Sequence, residues 1–400
     1  MLKVKSLKDA QSCLKEHFPY HTENEIIELS SAVGRVVFED IKSREFVPDF
    51  CRSTVDGYAI CARDSFGCSE AIPAILSLKG EVQMGQAAQL SVSSGECIYV
   101  PTGGEIPDGA DAMVMLEYAE DYGDGTIAIQ KPAAPGTCVV FRGDDAVEGQ
   151  CIFKRGHKLL PKDIGALAAM GCNEISVFRR PRAAIFSTGD EIVLASVKQL
   201  SKGQMRDVNG PMLEAAVIEA GAEVYCRKIL PDKPELLKAE LSAAVEGADL
   251  VLISGGSSVG AKDSAEAVLS ELGELLFHGL ALKPGKPTLA ASVKGKPVIC
   301  LPGHPVAAYF VFLLLAKPLL LQMQDCTVTE HGVPMSCGTS IGSNHGREEC
   351  VAVSVQGDVA MPIIGKSGLI TTLSSADGYI IIPRDTEGLA EGDLVKVIMF

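Results

Sequence analysis

From Arg182 to Val306 the chain alternates short apolar runs with helix-length stretches. Three of the runs lead straight into glycine-rich turns, Ser254-Gly-Gly-Ser-Ser-Val-Gly-Ala-Lys-Asp263, Leu282-Lys-Pro-Gly-Lys-Pro287 and Leu301-Pro-Gly-His-Pro-Val306. This βαβ pattern predicts a doubly wound α/β domain with strands over Ala183–Phe186, Glu223–Ile229 and Leu250–Ile253. Helices are expected over Pro234–Val245 and Ser264–Leu272, and Asn209 is expected to cap another that ends at Gly221. Open sheets bind ligands at the carboxyl ends of their strands. Glycines let backbone N–H groups approach an oxyanion, and serines and lysines add donors and charge, so the turns suit a phosphate-like or oxoanion ligand.

Either side of this region the pattern is different. Ser6 reads as the N-cap of a helix carrying Leu7, Ala10, Leu14 and Phe18, and a second helix is expected from Thr22 through Leu29. Between about Val36 and Val177 brief β-type runs dominate: Ile72–Leu78, Ala88–Val92, Cys97–Val100, Ala112–Leu116, Thr126–Ile129 and Cys138–Phe141. Tyr122-Gly-Asp-Gly125 fits a hairpin turn, and a helix is expected from Leu160 to Gly171. After Gln324 short strands return (Val351–Val355, Val359–Met361, Tyr379–Ile382, Leu394–Ile398), which predicts a small β-barrel or sandwich.

Four hundred residues call for about two to four domains, and 47% apolar with 22% charged residues is a globular composition. A formal net charge of -15 argues against a broad nucleic-acid or anionic-membrane surface, so any anion site must be local. The thirteen cysteines sit in apolar segments without a C-x-x-C pair and read as free thiols in a reducing cytoplasm. No secretory signal is legible at the N-terminus. The apolar stretch Val306–Ala316 is shorter than the ~18–20 residues of a membrane span and reads as a buried helix.

Phe186-Ser-Thr-Gly-Asp-Glu191 puts two hydroxyls and two carboxylates at the end of the first central strand, and Asp207, Asn209 and Asp232 follow nearby. Each alone is as well explained by helix capping or a turn. Together they crowd one sheet edge with acid, beside a loop suited to phosphate, and that mixture makes sense with a divalent cation between the two. Lys283 and Lys286 bracket Pro284-Gly285, so one turn presents two ammonium groups. His304 has no Ser, Cys or Asp partner nearby in sequence and reads as a satisfied turn residue. Asp56 in Arg52-Ser-Thr-Val-Asp-Gly-Tyr58, the loop Pro101–Gly109 and Arg142-Gly-Asp-Asp145 are further polar turns.

Pro48-Asp-Phe-Cys-Arg-Ser-Thr-Val-Asp-Gly-Tyr-Ala59, Ile98-Tyr-Val-Pro-Thr-Gly-Gly104, Ser187-Thr-Gly-Asp-Glu191 and the three glycine-rich turns, in this order, resemble the molybdopterin molybdenumtransferases. These are the molybdate-insertion enzymes of molybdenum-cofactor synthesis, related to the gephyrin E domain. The resemblance spans nearly the whole chain. It implies a discontinuous helical and β-rich N-terminal region over 1–177 (about 1–35 with 146–177, and 36–145). An α/β domain over 178–325, similar to molybdopterin adenylyltransferases, and a C-terminal β-barrel over 326–400 complete the implied fold.

The resemblance also implies a cytoplasmic homodimer with sites shared between subunits, and an adenylyltransferase as pathway partner. The implied reaction takes adenylylated molybdopterin and molybdate, depends on Mg2+ or another divalent cation, and releases AMP. Carried over by position, Asp56, Thr102, Asp145, Glu191, Asp232 and Asp263 are catalytic candidates, with Glu191, Asp232 and Asp263 as metal candidates. Ser254, Gly255, Gly256, Ser257, Ser258, Lys283, Lys286, Pro302, Pro305, Arg347 and Ser367 are anion-binding candidates. Two departures stand out: only Arg142 precedes the Gly-Asp-Asp element, where relatives carry a further arginine, and His304 replaces the more usual asparagine. Tungstate insertion, adenylyl transfer to molybdopterin and a non-catalytic scaffold are the alternative readings.

Overall fold

The computed structural model describes residues 4–255, 259–326, 332–365 and 367–400, with the backbone alone described for 259–263. Helix α1 (Leu7–His17) starts where the Ser6 hydroxyl accepts the Asp9 N–H at 3.1 Å. The stretch expected as a second helix is instead strand β1 (Asn24–Glu28), whose residues alternate in exposure. The β-branched pair Ile26-Ile27 suits an extended ribbon, but its partner strand lies far along the chain, beyond the reach of local periodicity.

A six-stranded sheet follows, made of β2 (Gly57–Ile60), β3 (Ala74–Glu81), β4 (Glu96–Val100), β5 (Ala112–Met115), β6 (Ala119–Asp121) and β7 (Thr126–Ile129). Its order is β5-β2-β4-β3-β7-β6, with only β3 and β4 parallel. Successive residues of β2 enter opposite cores, Tyr58 and Ile60 on one face and Ala59 on the other. The run Ala88–Val92 is irregular although Val92 is buried, its N–H bonded to the Asp108 carbonyl at 2.8 Å. Helix α2 (Pro161–Ala169) is capped by Asp163, which accepts the Leu160 N–H, and the chain turns away at Gly171 with φ +70°. Strand β8 (Glu174–Phe178) then returns to pair antiparallel with β1.

The central sheet contains β9 (Arg182–Thr188), β10 (Glu223–Leu230), β11 (Leu250–Gly255), β12 (Gly273–His278), β14 (Leu289–Val293) and β15 (Lys296–Leu301), in the order β10-β9-β11-β15-β14-β12. Strands β10, β9, β11 and β15 pair in parallel, while β14 runs antiparallel to both of its neighbours, β15 and β12. Helix α3 (Asn209–Glu219) joins α1 on one face, and α4 (Pro234–Gly247) and α5 (Val259–Leu272) cover the other. Strand residues alternate between the faces, Ala183 and Ile185 one way and Ala184 and Phe186 the other. Asn209 does not cap α3. Asp207 does, accepting the Gly210 N–H at 2.9 Å, while the Asn209 amide donates to the Gly303 carbonyl. Helix α5 starts at Val259, so Asp263 lies within the helix rather than at its start.

The two-residue strand β13 (Leu282–Lys283), between β12 and β14, leaves the central sheet. It pairs in parallel with β17 (Glu348–Gln356) of the C-terminal region. There β16 (Val333–Cys337), β17, β18 (Val359–Pro362), β19 (Gly378–Ile382) and β20 (Leu394–Met399) close into a ring, β17-β18-β16-β20-β19 and back to β17. This is the β-barrel.

Among the described residues one helix, α6 (Pro305–Gln322), is long and apolar enough to cross a membrane, yet 61% of it is buried against α1, the central sheet and the barrel, where Phe310 meets Tyr379 at 5.5 Å. Pro318 deprives the Leu314 carbonyl of its helical donor, and the Gln11 amide of α1 supplies one at 2.9 Å. The thirteen cysteines are free thiols.

Asp249 anchors the N-terminal region to the central sheet. It pairs with Arg179 at 3.0 Å and Lys296 at 3.3 Å and accepts the Arg182 N–H, while its carbonyl accepts from Tyr20. Burial pushes its carboxyl up, but Arg179 and the Arg182 N–H outweigh this and hold it below its ordinary value. Its ionised form therefore stabilises the fold above the ordinary aspartate range, and that contribution is lost as pH falls through the folded-state value. Asp249→Ala should cost about 1–3 kcal/mol, because the half-buried Arg179 and Lys296 and the Arg182 N–H lose their partner. Urea denaturation followed by circular dichroism measures it.

Candidate functional site

The anion-suited turns meet where the central sheet faces the barrel. Lys283, Lys286, Pro302, His304, Arg347 and Ser367 line a cleft of about 470 Å³. β13 places the lysine turn there, because its pairing with β17 sets Lys283 opposite Glu349, two residues beyond Arg347. Lys283 Nζ pairs with Glu349 Oε1 at 2.7 Å, and Ser343 holds the second carboxylate oxygen. The turn is braced inside by the Thr288 hydroxyl, which donates to the Gly285 carbonyl at 2.7 Å. Lys286 and Arg347 are exposed. Pro305 does not line the cleft. It is the first residue of α6, where its fixed φ suits a helix start.

A second, smaller cleft adjoins the first and shares Pro287 and Pro302 with it. Thr188, Asp232, Gly255 and Ser264 are among its lining residues, contributed by the ends of β9 and β11, the loop after β10 and the body of α5. Gly255 has φ +126°, and a Cβ there would lie 2.1 Å from the Thr188 carbonyl oxygen, so no other residue fits this approach. Ser254 beside it is buried, and its hydroxyl has no partner among the described residues. Gly256, Ser257 and Ser258 and the side chain of Asp263 lie outside the described residues.

Acidic groups gather at the ends of β9 and β10. Asp190 Oδ1 accepts the Asp232 N–H at 3.2 Å. Burial, then the charges of Glu191 and Asp190, push the Asp232 carboxyl up from its ordinary value. Asp207, grouped with these in sequence, has a different role: it is buried, accepts from Ser187 and Gly210, and holds the start of α3.

Asp56, Thr102 and Asp145 come from the N-terminal β-rich region and line neither cleft. Asp56 Oδ1 accepts the Thr102 N–H at 2.8 Å, and both side chains are exposed. The loops carrying them converge through Ser53 opposite Val139 and through the Asp145 N–H donated to the Val47 carbonyl at 2.9 Å. Arg142 already has partners, an ion pair to Asp49 at 3.0 Å and the Phe46 ring at 4.1 Å.

His304 is the residue that sequence reasoning undervalued. Its Nδ1 lies 2.8 Å from the Ser367 hydroxyl, a partner supplied by the barrel region. Nothing in the local sequence announces that contact, since it depends on how the barrel docks.

Residues 5–171 match the MoeA N-terminal region (domain I and II), 184–322 the family described as "Probable molybdopterin binding domain", and 335–400 the MoeA C-terminal region (domain IV). The chain is 31% identical to a Methanocaldococcus jannaschii protein described as a molybdopterin biosynthesis protein, covering 96% of this chain and 94% of that one. It is 29% identical to the molybdopterin molybdenumtransferase of Haemophilus influenzae, covering 99% and 98%. A crystal structure of the molybdopterin biosynthesis moeA protein from Pyrococcus horikoshii superposes with a TM-score of 0.89 at 32% identity, over 100% of both chains. With its three matched regions in this order along the sequence, the chain belongs to the MoeA family, the molybdopterin molybdenumtransferases of molybdenum-cofactor biosynthesis.

Proposed function

We propose that this protein joins molybdate to adenylylated molybdopterin and releases AMP. The observation that carries the reading is the adjacency of two clefts across Pro287 and Pro302, one lined by Asp232 and Lys233 and the other by Lys283, Lys286 and Arg347. A tetrahedral oxoanion is held directly by ammonium and guanidinium donors. A phosphate beside carboxylates instead needs a cation between them.

Glu191 and Asp232, with Asp263 from α5, are the residues that would hold that cation. Hard carboxylate oxygens suit Mg2+, and Asp232, pushed up by burial and then by Glu191 and Asp190, is the kind of group a cation relieves. Among the described residues no group of three or more His, Cys, Asp or Glu could hold a metal ion, so this pair needs a further carboxylate or phosphate oxygens of the substrate. Bound there, the ion would neutralise charge on the phosphoanhydride as it breaks. Because Asp56, Thr102 and Asp145 line neither cleft, the reading includes a homodimer in which one subunit's loop cluster faces the clefts of the other.

Incubating the protein with adenylylated molybdopterin, molybdate and Mg2+ should release AMP in step with metal insertion; folded protein that releases none overturns the transferase reading. Adenylylation of molybdopterin from ATP would favour the adenylyltransferase alternative, and replacing molybdate by tungstate measures oxoanion preference.

Asp232→Asn should raise the melting temperature when no divalent cation is present. The sign follows from the raised carboxyl: ionised Asp232 opposes folding at neutral pH, and protonation or neutral substitution removes that cost. The same variant should lose cation affinity by at least about tenfold, measured as the Mg2+ dependence of AMP release.

Mixing Asp56→Ala with Asp232→Asn subunits, at an Mg2+ concentration where neither is active alone, should restore about a quarter of wild-type activity. Half of randomly paired dimers are mixed, and each carries one intact site of two. No recovery after verified subunit exchange would place all the catalytic residues of a site in one chain.

A further inference from the structure

We infer that His304 is a proton-linked latch on the oxoanion cleft: its protonated imidazole holds Ser367 with the hydroxyl proton free for the anion, so oxoanion binding takes up a proton. This rests on the reading of the Lys283, Lys286 and Arg347 cleft as the oxoanion site. His304 and Ser367 line that cleft from opposite walls, one in the turn before α6 and the other in the barrel region, and their side chains meet at 2.8 Å.

A serine hydroxyl has one proton. When His304 Nδ1 is unprotonated, it accepts that proton and Ser367 offers the cleft only lone pairs, which repel an oxoanion. When Nδ1 carries hydrogen it donates to Ser367 Oγ, and the hydroxyl proton can turn toward the anion. The neutral Nδ1–H tautomer does this without a change of charge; the imidazolium does it and adds a positive charge, and a dianion selects the imidazolium because only that form attracts it.

The surroundings give the coupling its sign. Lys283, Lys286 and Arg347 line the same cleft, and Glu349 is engaged by Lys283 and Ser343. On the side of α3, Asp207 is taken up by Ser187 and the Gly210 N–H, and the Asn209 amide holds the Gly303 carbonyl. A bound dianion favours a further positive charge beside it. An asparagine in place of His304 supplies an amide donor but cannot titrate. The Val306 N–H also donates to the Ser367 carbonyl at 3.1 Å, so the two walls remain joined by backbone whatever the state of the ring.

Isothermal titration calorimetry with molybdate alone, in two buffers of different ionisation heat between about pH 6 and 8, reads the protons taken up per anion. Wild-type protein should take up a fraction of a proton and bind molybdate several-fold more weakly as pH rises across this range. His304→Asn should bind with little proton uptake and a flat pH profile. Ser367→Ala should bind more weakly, with reduced uptake. If wild type and His304→Asn both bind with the same uptake, the latch is overturned while the cleft reading stands. If wild type binds no molybdate, the cleft reading falls and the latch with it.

Discussion

Two residue pairs of parallel ladder, Leu282 opposite Glu348 and Lys283 opposite Glu349, decide where the functional cleft forms. Without them the lysine turn would belong to the central sheet alone, and Arg347 and Ser367 would have nothing to face. The ladder is short, but it is backed by a shared core. Leu280 and Leu282 are buried with Phe310 of α6 and with Cys350, Ala352 and Tyr379 of the barrel. Hydrophobic burial sets the barrel's position, and the backbone pairing sets the register that brings three cationic side chains to one place.

Charge is handled differently on the two sides of Pro287 and Pro302. On the cationic side Lys283 is satisfied by Glu349, which is itself held by Ser343, so the turn is ordered without losing its donors. On the other side Asp232 is pushed up by burial and by the charges of Glu191 and Asp190. A group held in an unfavourable state is found at functional sites more often than elsewhere. Asp249 and Asp207 show the opposite treatment, buried with their donors supplied, and they hold the fold together.

Much of the central domain was legible because its strands enter cores on both faces and its helices follow at regular spacing. Ala183 to Phe186 and Leu250 to Ile253 read as buried strands from composition and length alone. The misreadings share a cause. Asn24–Glu28 takes its strand conformation from Glu174–Phe178, and the choice of Asp207 over Asn209 as a cap depends on Ser187 and Gly303. In the candidate site, residue types were legible in each glycine-rich turn, but grouping was not. Asp207 was placed with the acidic set that it leaves, and His304 was left without the partner that it has.

The amino-acid sequence by itself determined the element types of the central domain, the free-thiol character of the cysteines and the turns that carry anion-suited donors. These follow from side-chain period, from backbone freedom at glycine and from local charge, all of which act within a few residues. Only the tertiary structure decided that the barrel closes on itself, that β13 joins it, and that Lys283, Arg347, Ser367 and His304 share one cleft. Those outcomes depend on pairings and core contacts between segments far apart in the chain, and the energy that selects them is not written in any one segment.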